Sequence, residues 1–181
     1  MAKPGTPAMH INILLHEQHL LIILKNKIMI STENNVAVLN DLIQINNDRI
    51  EGYEKAARET EVIDADLRAL FTRMANESRE YVSELRSYIH QAGEGATDST
   101  TVSGKIYRAW MDVKATFSGK DRKSILESCE FGEDAAQKAY KTALDNAPDD
   151  ELSPDVVQLI SEQKAKLRRS HDEIKRLRDI Q

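Results

Sequence analysis

The residues of this chain whose types and spacing could do chemistry are acids and a histidine that fall on apolar stripes. At helical spacing Glu77 lies three after Met74 and four before Tyr81, and Glu133 lies seven after Leu126 and seven before Tyr140. His171 lies four after Leu167 and three before Ile174. Each is therefore expected on the inward face of its helix. Glu130 stands one turn from Glu133, and Glu54, one turn beyond Ile50, could turn inward. Buried carboxylates are costly unless paired or bound to a cation. One reading is a metal site, with Glu54, Glu77, Glu130, Glu133 and His171 as ligands to iron or manganese.

The ligand set is incomplete by the usual standard. A carboxylate-bridged di-metal site in a helical bundle takes one Glu from each of two helices and a Glu-x-x-His pair from each of the other two. No Glu-x-x-His occurs here; the nearest patterns are Glu77-Ser78-Arg79-Glu80, Glu127-Ser128-Cys129-Glu130 and Glu130-Phe131-Gly132-Glu133. Where His171 would need a glutamate three residues earlier, the sequence has Arg168. The other reading holds Glu77 and Glu133 with the hydroxyls of Tyr53, Tyr81 or Tyr140, or with Arg79, Lys164 or Arg168, and no cofactor is then required.

Other chemistries have less support. Gly93-Glu94-Gly95 lacks the third glycine of a dinucleotide loop, and no Gly-Lys-Ser or Gly-Lys-Thr is present to hold phosphates. His16 and His19 are three apart, a spacing that suits one metal ion on a helix face. Cys129 sits between Ser128 and Glu130, where carboxylates raise a thiol pKa, so it reads as a core residue. A single cysteine forbids an internal disulfide and fits a reducing compartment. The net charge of -5 gives no footprint for nucleic acid, and the basic residues from Lys164 to Arg178 are interleaved with acids, the pattern of a solvated helix.

The elements that must position these residues are helices. Of the four prolines, none lies between Ser31 and Ala147, so long helices are permitted. Apolar periodicity predicts helices over 32–60, 64–91, 121–146 and from Ser153-Pro154 to the C-terminus. A shorter helix over 103–117, carrying Trp110 as a core plug, is predicted in the connection between the second and third long ones. The connections run short, long with an inserted helix, then short, which is the order of a ferritin-like four-helix bundle. Residues 31–181 form that domain, and residues 1–30 stand apart as an extension. The extension reads as an accessory helix or strand, or as translation from an upstream start with Met29 the original initiator. Its longest apolar run, Leu20 to Leu24, is far short of the roughly 20 residues of a membrane span, and it lacks the features of a secretory signal.

Several short patterns together resemble a bacterial family of ferritin-like four-helix-bundle proteins of unknown function. They are Val38-Leu39-Asn40-Asp41-Leu42-Ile43 with Asp48 and Gly52-Tyr53, then Trp110-x-x-x-Lys114, Gly119-Lys120-Asp121, Glu130-x-Gly132-Glu133-Asp134 with Tyr140, and His171-Asp172-x-Ile174-Lys175. The resemblance implies a ferritin-like fold, a cytoplasmic protein and self-association as a homodimer or higher homo-oligomer, with no established activity. Two readings of function follow. The first is a non-enzymatic binding or structural protein, in one form stress-related. The second is a metal-binding bundle, di-iron or manganese, with oxidoreductase or storage activity.

Overall fold

The computed structural model describes residues 7–91, 93 and 121–181. Within them lie four long helices: α1 (Pro7–Glu59), α2 (Ala65–Gln91), α3 (Arg122–Asp145) and α4 (Pro154–Asp179). There is no strand among the described residues. The short helix expected over 103–117, with Trp110, lies outside the described residues.

Local chemistry accounts for most boundaries. Asp121 caps α3 by accepting the Ser124 backbone N–H at 3.1 Å. Pro154 opens α4, where its missing N–H costs nothing. The end of α2 is followed by Gly93 at φ 81°, a left-handed conformation that glycine adopts without strain. The start of α1 differs from expectation, since one helix runs unbroken from Pro7 through Thr32 to Glu59. No proline interrupts it after its first residue, and Gly52 is its only glycine, so nothing in the covalent chain stops the helix at the edge of the bundle.

Two antiparallel hairpins build the bundle. α1 packs along α2 and α3 along α4, with α1 also meeting α3, and α2 meeting α4. At the start of α3, Arg122 pairs with Asp64 and Asp66 at the start of α2, at 2.8 and 2.7 Å. α2 and α3 therefore begin at the same end of the bundle, and the ends of the connection between them, Gln91 and Arg122, lie at opposite ends. This is the long crossover of the ferritin-like order. At the far end Asn34 donates to the Asp150 carbonyl at 2.8 Å, and the Asn35 side chain accepts the Ser153 backbone N–H at 3.0 Å. α1 thus meets the α3–α4 turn just after residue 30, and Pro7 to Ile30 project about 36 Å beyond that contact at 1.5 Å per residue. In this projection Leu20 to Leu24, Ile28 and Met29 are exposed.

The core is in two parts. One cluster gathers Leu39, Leu42, Ile43, Tyr81, Leu85, Tyr140 and Ile160. The other gathers Tyr53, Phe71, Met74, Leu126, Cys129 and Ile174. On every helix the residues between the two clusters include buried polar side chains: Asn46 and Arg49 on α1, Ser78 on α2, Glu130 and Glu133 on α3, Ser170 and His171 on α4.

Candidate functional site

The polar layer between the two clusters is organised around Glu133, which is 1% exposed. Its Oε1 accepts from the Arg49 guanidinium at 2.5 Å and from the Tyr53 hydroxyl. Arg49 also donates to Ser78 Oγ at 2.9 Å and to Asn46 Oδ1 at 3.3 Å. From Asn46 a directed chain of hydrogen bonds crosses the bundle. Asn46 donates to the Tyr140 hydroxyl at 2.7 Å, Tyr140 to Gln163 at 2.8 Å, and Gln163 to Glu84 at 2.7 Å. The chain starts at a cation and ends at a carboxylate, so its dipoles reinforce one another.

Electrostatics follow from burial. Burial alone would lower the Arg49 pKa, but Glu133, together with Tyr53 and Tyr140, more than offsets it, and the guanidinium stays charged. Tyr53 is pushed well up by burial and then by Glu133, so its hydroxyl is a donor. Burial, with Glu133 adding to it, also raises the Cys129 thiol, which fits the reading of Cys129 as a core residue and not a nucleophile. Two atoms of the layer, Glu133 Oε2 and Arg49 Nε, have no partner among the described residues, so the pair meets through a single carboxylate oxygen.

Glu54, Glu77, Glu130, Glu133 and His171 are not gathered at one point. Glu54 remains at the surface, paired with Arg79. Glu77, expected inward, is half-buried, accepting from Arg73 and Ser170, each at 3.0 Å. The inward stripe of α2 passes through Met74, Ser78 and Tyr81, which places Ser78 in the layer and turns Glu77 about 100° aside. Glu130 and His171 do come together, with Asp134. One ligand atom from each of these three lies within 4.8 Å of the others, a group that could hold a metal ion. His171 Nε2 is 2.9 Å from Asp134 Oδ1, and His171 Nδ1 is 2.9 Å from Asp172 Oδ1. Glu130 also pairs with Arg178 at 2.5 Å.

Arg49 and Asp134 were not among the expected site residues. Arg49 was nonetheless readable, because Asn46, Arg49, Tyr53 and Ala56 follow the spacing three, four, three along α1. Asp134 had only its position one turn after Glu130 on α3 to recommend it.

Four helices in two hairpins joined by a long crossover define a ferritin-like bundle. The chain belongs to the family described as Domain of unknown function (DUF2383), which matches residues 34–146. Among solved structures it is similar to the crystal structure of a ferritin-like, diiron-carboxylate protein from Bacillus anthracis str. Ames. The TM-score is 0.63 at 17% identity, over 82% of this chain and 97% of that one. No curated protein matches the chain in sequence.

The interior of this bundle does not fit a di-iron carboxylate centre. Such a centre draws carboxylates from all four helices and two histidines. Here the buried carboxylates between the clusters, Glu130 and Glu133, both come from α3, the one buried histidine among the described residues is His171, and Glu133 is already neutralised by a buried guanidinium. A fixed positive charge in that position repels a pair of divalent cations. The side chains of Asn46, Tyr53, Ser78, Tyr140 and Gln163 are neutral and committed to one another or to Arg49 and Glu133.

Proposed function

We propose that this protein is a ferritin-like bundle working as a non-enzymatic binding or structural protein, its interior closed to redox chemistry. The observation carrying this reading is Arg49, whose guanidinium stands in the central layer and pairs with Glu133. An internal ion pair supplies the charge compensation that iron or manganese would otherwise supply to a buried glutamate. Self-association as a homodimer or higher oligomer belongs to the same reading, supported by the exposed apolar run Leu20 to Leu24. Residues 1–30 then act as an extension of the bundle domain, 31–181. None of the described helices is long and apolar enough to cross a membrane.

Ferrous loading of the metal-free protein under anaerobic conditions, followed by air, tests this. The expected result is no near-ultraviolet oxo-iron band beyond that of free ferrous ion. A band saturating at about two irons per chain, the stoichiometry of a di-iron bundle, and abolished by Glu133→Gln, would overturn the reading.

A metal-binding reading retains support in a different form. The group Glu130, Asp134 and His171 favours a single cation held beside the interior.

A further inference from the structure

The rim formed by α3 and α4 carries a feature the central layer does not explain. His171 is 5% exposed, and both of its ring nitrogens face carboxylate oxygens at 2.9 Å. Two arrangements satisfy both contacts: an imidazolium donating an N–H to each side, or a neutral ring that donates one N–H and offers its other nitrogen to a bound cation.

The two sides are not equivalent. Asp172 is the residue next to His171 and is also held by Arg168 at 3.0 Å, so its charge is partly met from outside. On the other side Asp134, one turn along α3 from Glu130, brings a second carboxylate toward Nε2. A histidine that donates its far N–H to a carboxylate while its near nitrogen faces acids has the arrangement of a metal ligand with its orienting partner.

We propose that Glu130, Asp134 and His171 form a site for one divalent cation of borderline softness, such as zinc. His171 Nε2, Asp134 Oδ1 and one oxygen of Glu130 are the ligands, Asp172 orients the imidazole, and solvent completes the shell. One imidazole with two carboxylates suits zinc, and three protein ligands leave a position open. Ligands of a tetrahedral zinc lie about 3.4 Å apart. The Asp134–His171 contact is close to that, while the 4.8 Å span of the group requires Glu130 to swing inward. Its partner Arg178 is partly exposed and can turn to solvent. The site stands independently of the reading given for the interior, because Glu133 takes no part in it.

Calorimetric titration of zinc chloride into the full, chelator-stripped chain, with magnesium as a hard-cation control, decides the matter. The expected result is about one zinc per chain and no magnesium response. Asp172→Asn should weaken binding about 10–100-fold, His171→Ala and Asp134→Asn by at least as much, and Glu133→Gln not at all. Asp134 is 64% exposed, so Asp134→Asn keeps the test valid if His171→Ala does not fold. No zinc uptake, or uptake undiminished in Asp134→Asn, overturns the proposal. Uptake lost instead in the double variant His16→Ala and His19→Ala also overturns it, by moving the site to the start of α1.

Discussion

In the central layer a carboxylate meets a guanidinium and a phenol, all three sealed from water. One turn away on α3, the rim sets Glu130 and Asp134 against His171, with Asp134 and Asp172 largely in solvent. The acids on the two sides are similar; what differs is the partner each has been given. A buried acid with a fixed cation has its charge settled for the life of the fold. Acids that reach a buried imidazole from the solvent side leave room for an exchangeable cation. Position along a helix therefore says less about chemistry than the residue that arrives from the neighbouring helix.

The comparison breaks most forcefully at Arg49. Arg49→Met leaves Glu133 buried without its cation and is expected to cost about 3–5 kcal/mol, or roughly 10 °C in melting temperature for a domain of this size. The double variant Arg49→Met with Glu133→Met removes both charges and should be more stable than Arg49→Met alone. Urea unfolding of the set measures this, and additive losses would mean that the pair is not coupled.

A smaller effect is expected at an open pair. Hydrogen bonds from Arg122 hold the Asp66 carboxyl at about 2, below its unfolded value of about 3.9. Because the folded value is the lower one, the contribution is present above about pH 4 and fades as the pH falls toward 2. Asp66→Asn should flatten acid unfolding in that window, and about 1 M salt should do the same by screening. The same salt should leave the Arg49–Glu133 contribution intact. Equal salt sensitivity of both pairs would erase the distinction between closed and open clusters.

The smallest effect is expected at the start of the chain. A protein beginning at Met29 lacks only residues beyond the contact of α1 with the α3–α4 turn, and its melting temperature should stay within about 5 °C of the full chain. A fall of more than about 10 °C would show that the projection of α1 packs on the bundle.

The helices were legible because apolar residues recur at three and four over long stretches without proline, and such periodicity survives tertiary packing. The start of α1 was not, because a change in composition near residue 30 suggests a boundary that the backbone does not observe. Glu133 was readable from its central place on its stripe. Glu77 was misplaced inward because a stripe is wide enough to admit either Glu77 or Ser78, and only the packing of α1 against α2 selects Ser78. Arg49 went unread because a charged residue on an apolar face looks like an interruption until its counter-ion is known. That counter-ion lies 84 residues away.

The same separation bears on how the chain folds. Arg49 belongs to the α1–α2 hairpin and Glu133 to the α3–α4 hairpin, so neither hairpin can form a dry core unaided: each would bury a lone charge at its middle. Water must stay between the helices until the halves dock, and docking both expels it and fixes their register. The ion pair thus makes assembly all-or-none, penalising a half-formed bundle more than it rewards the finished one.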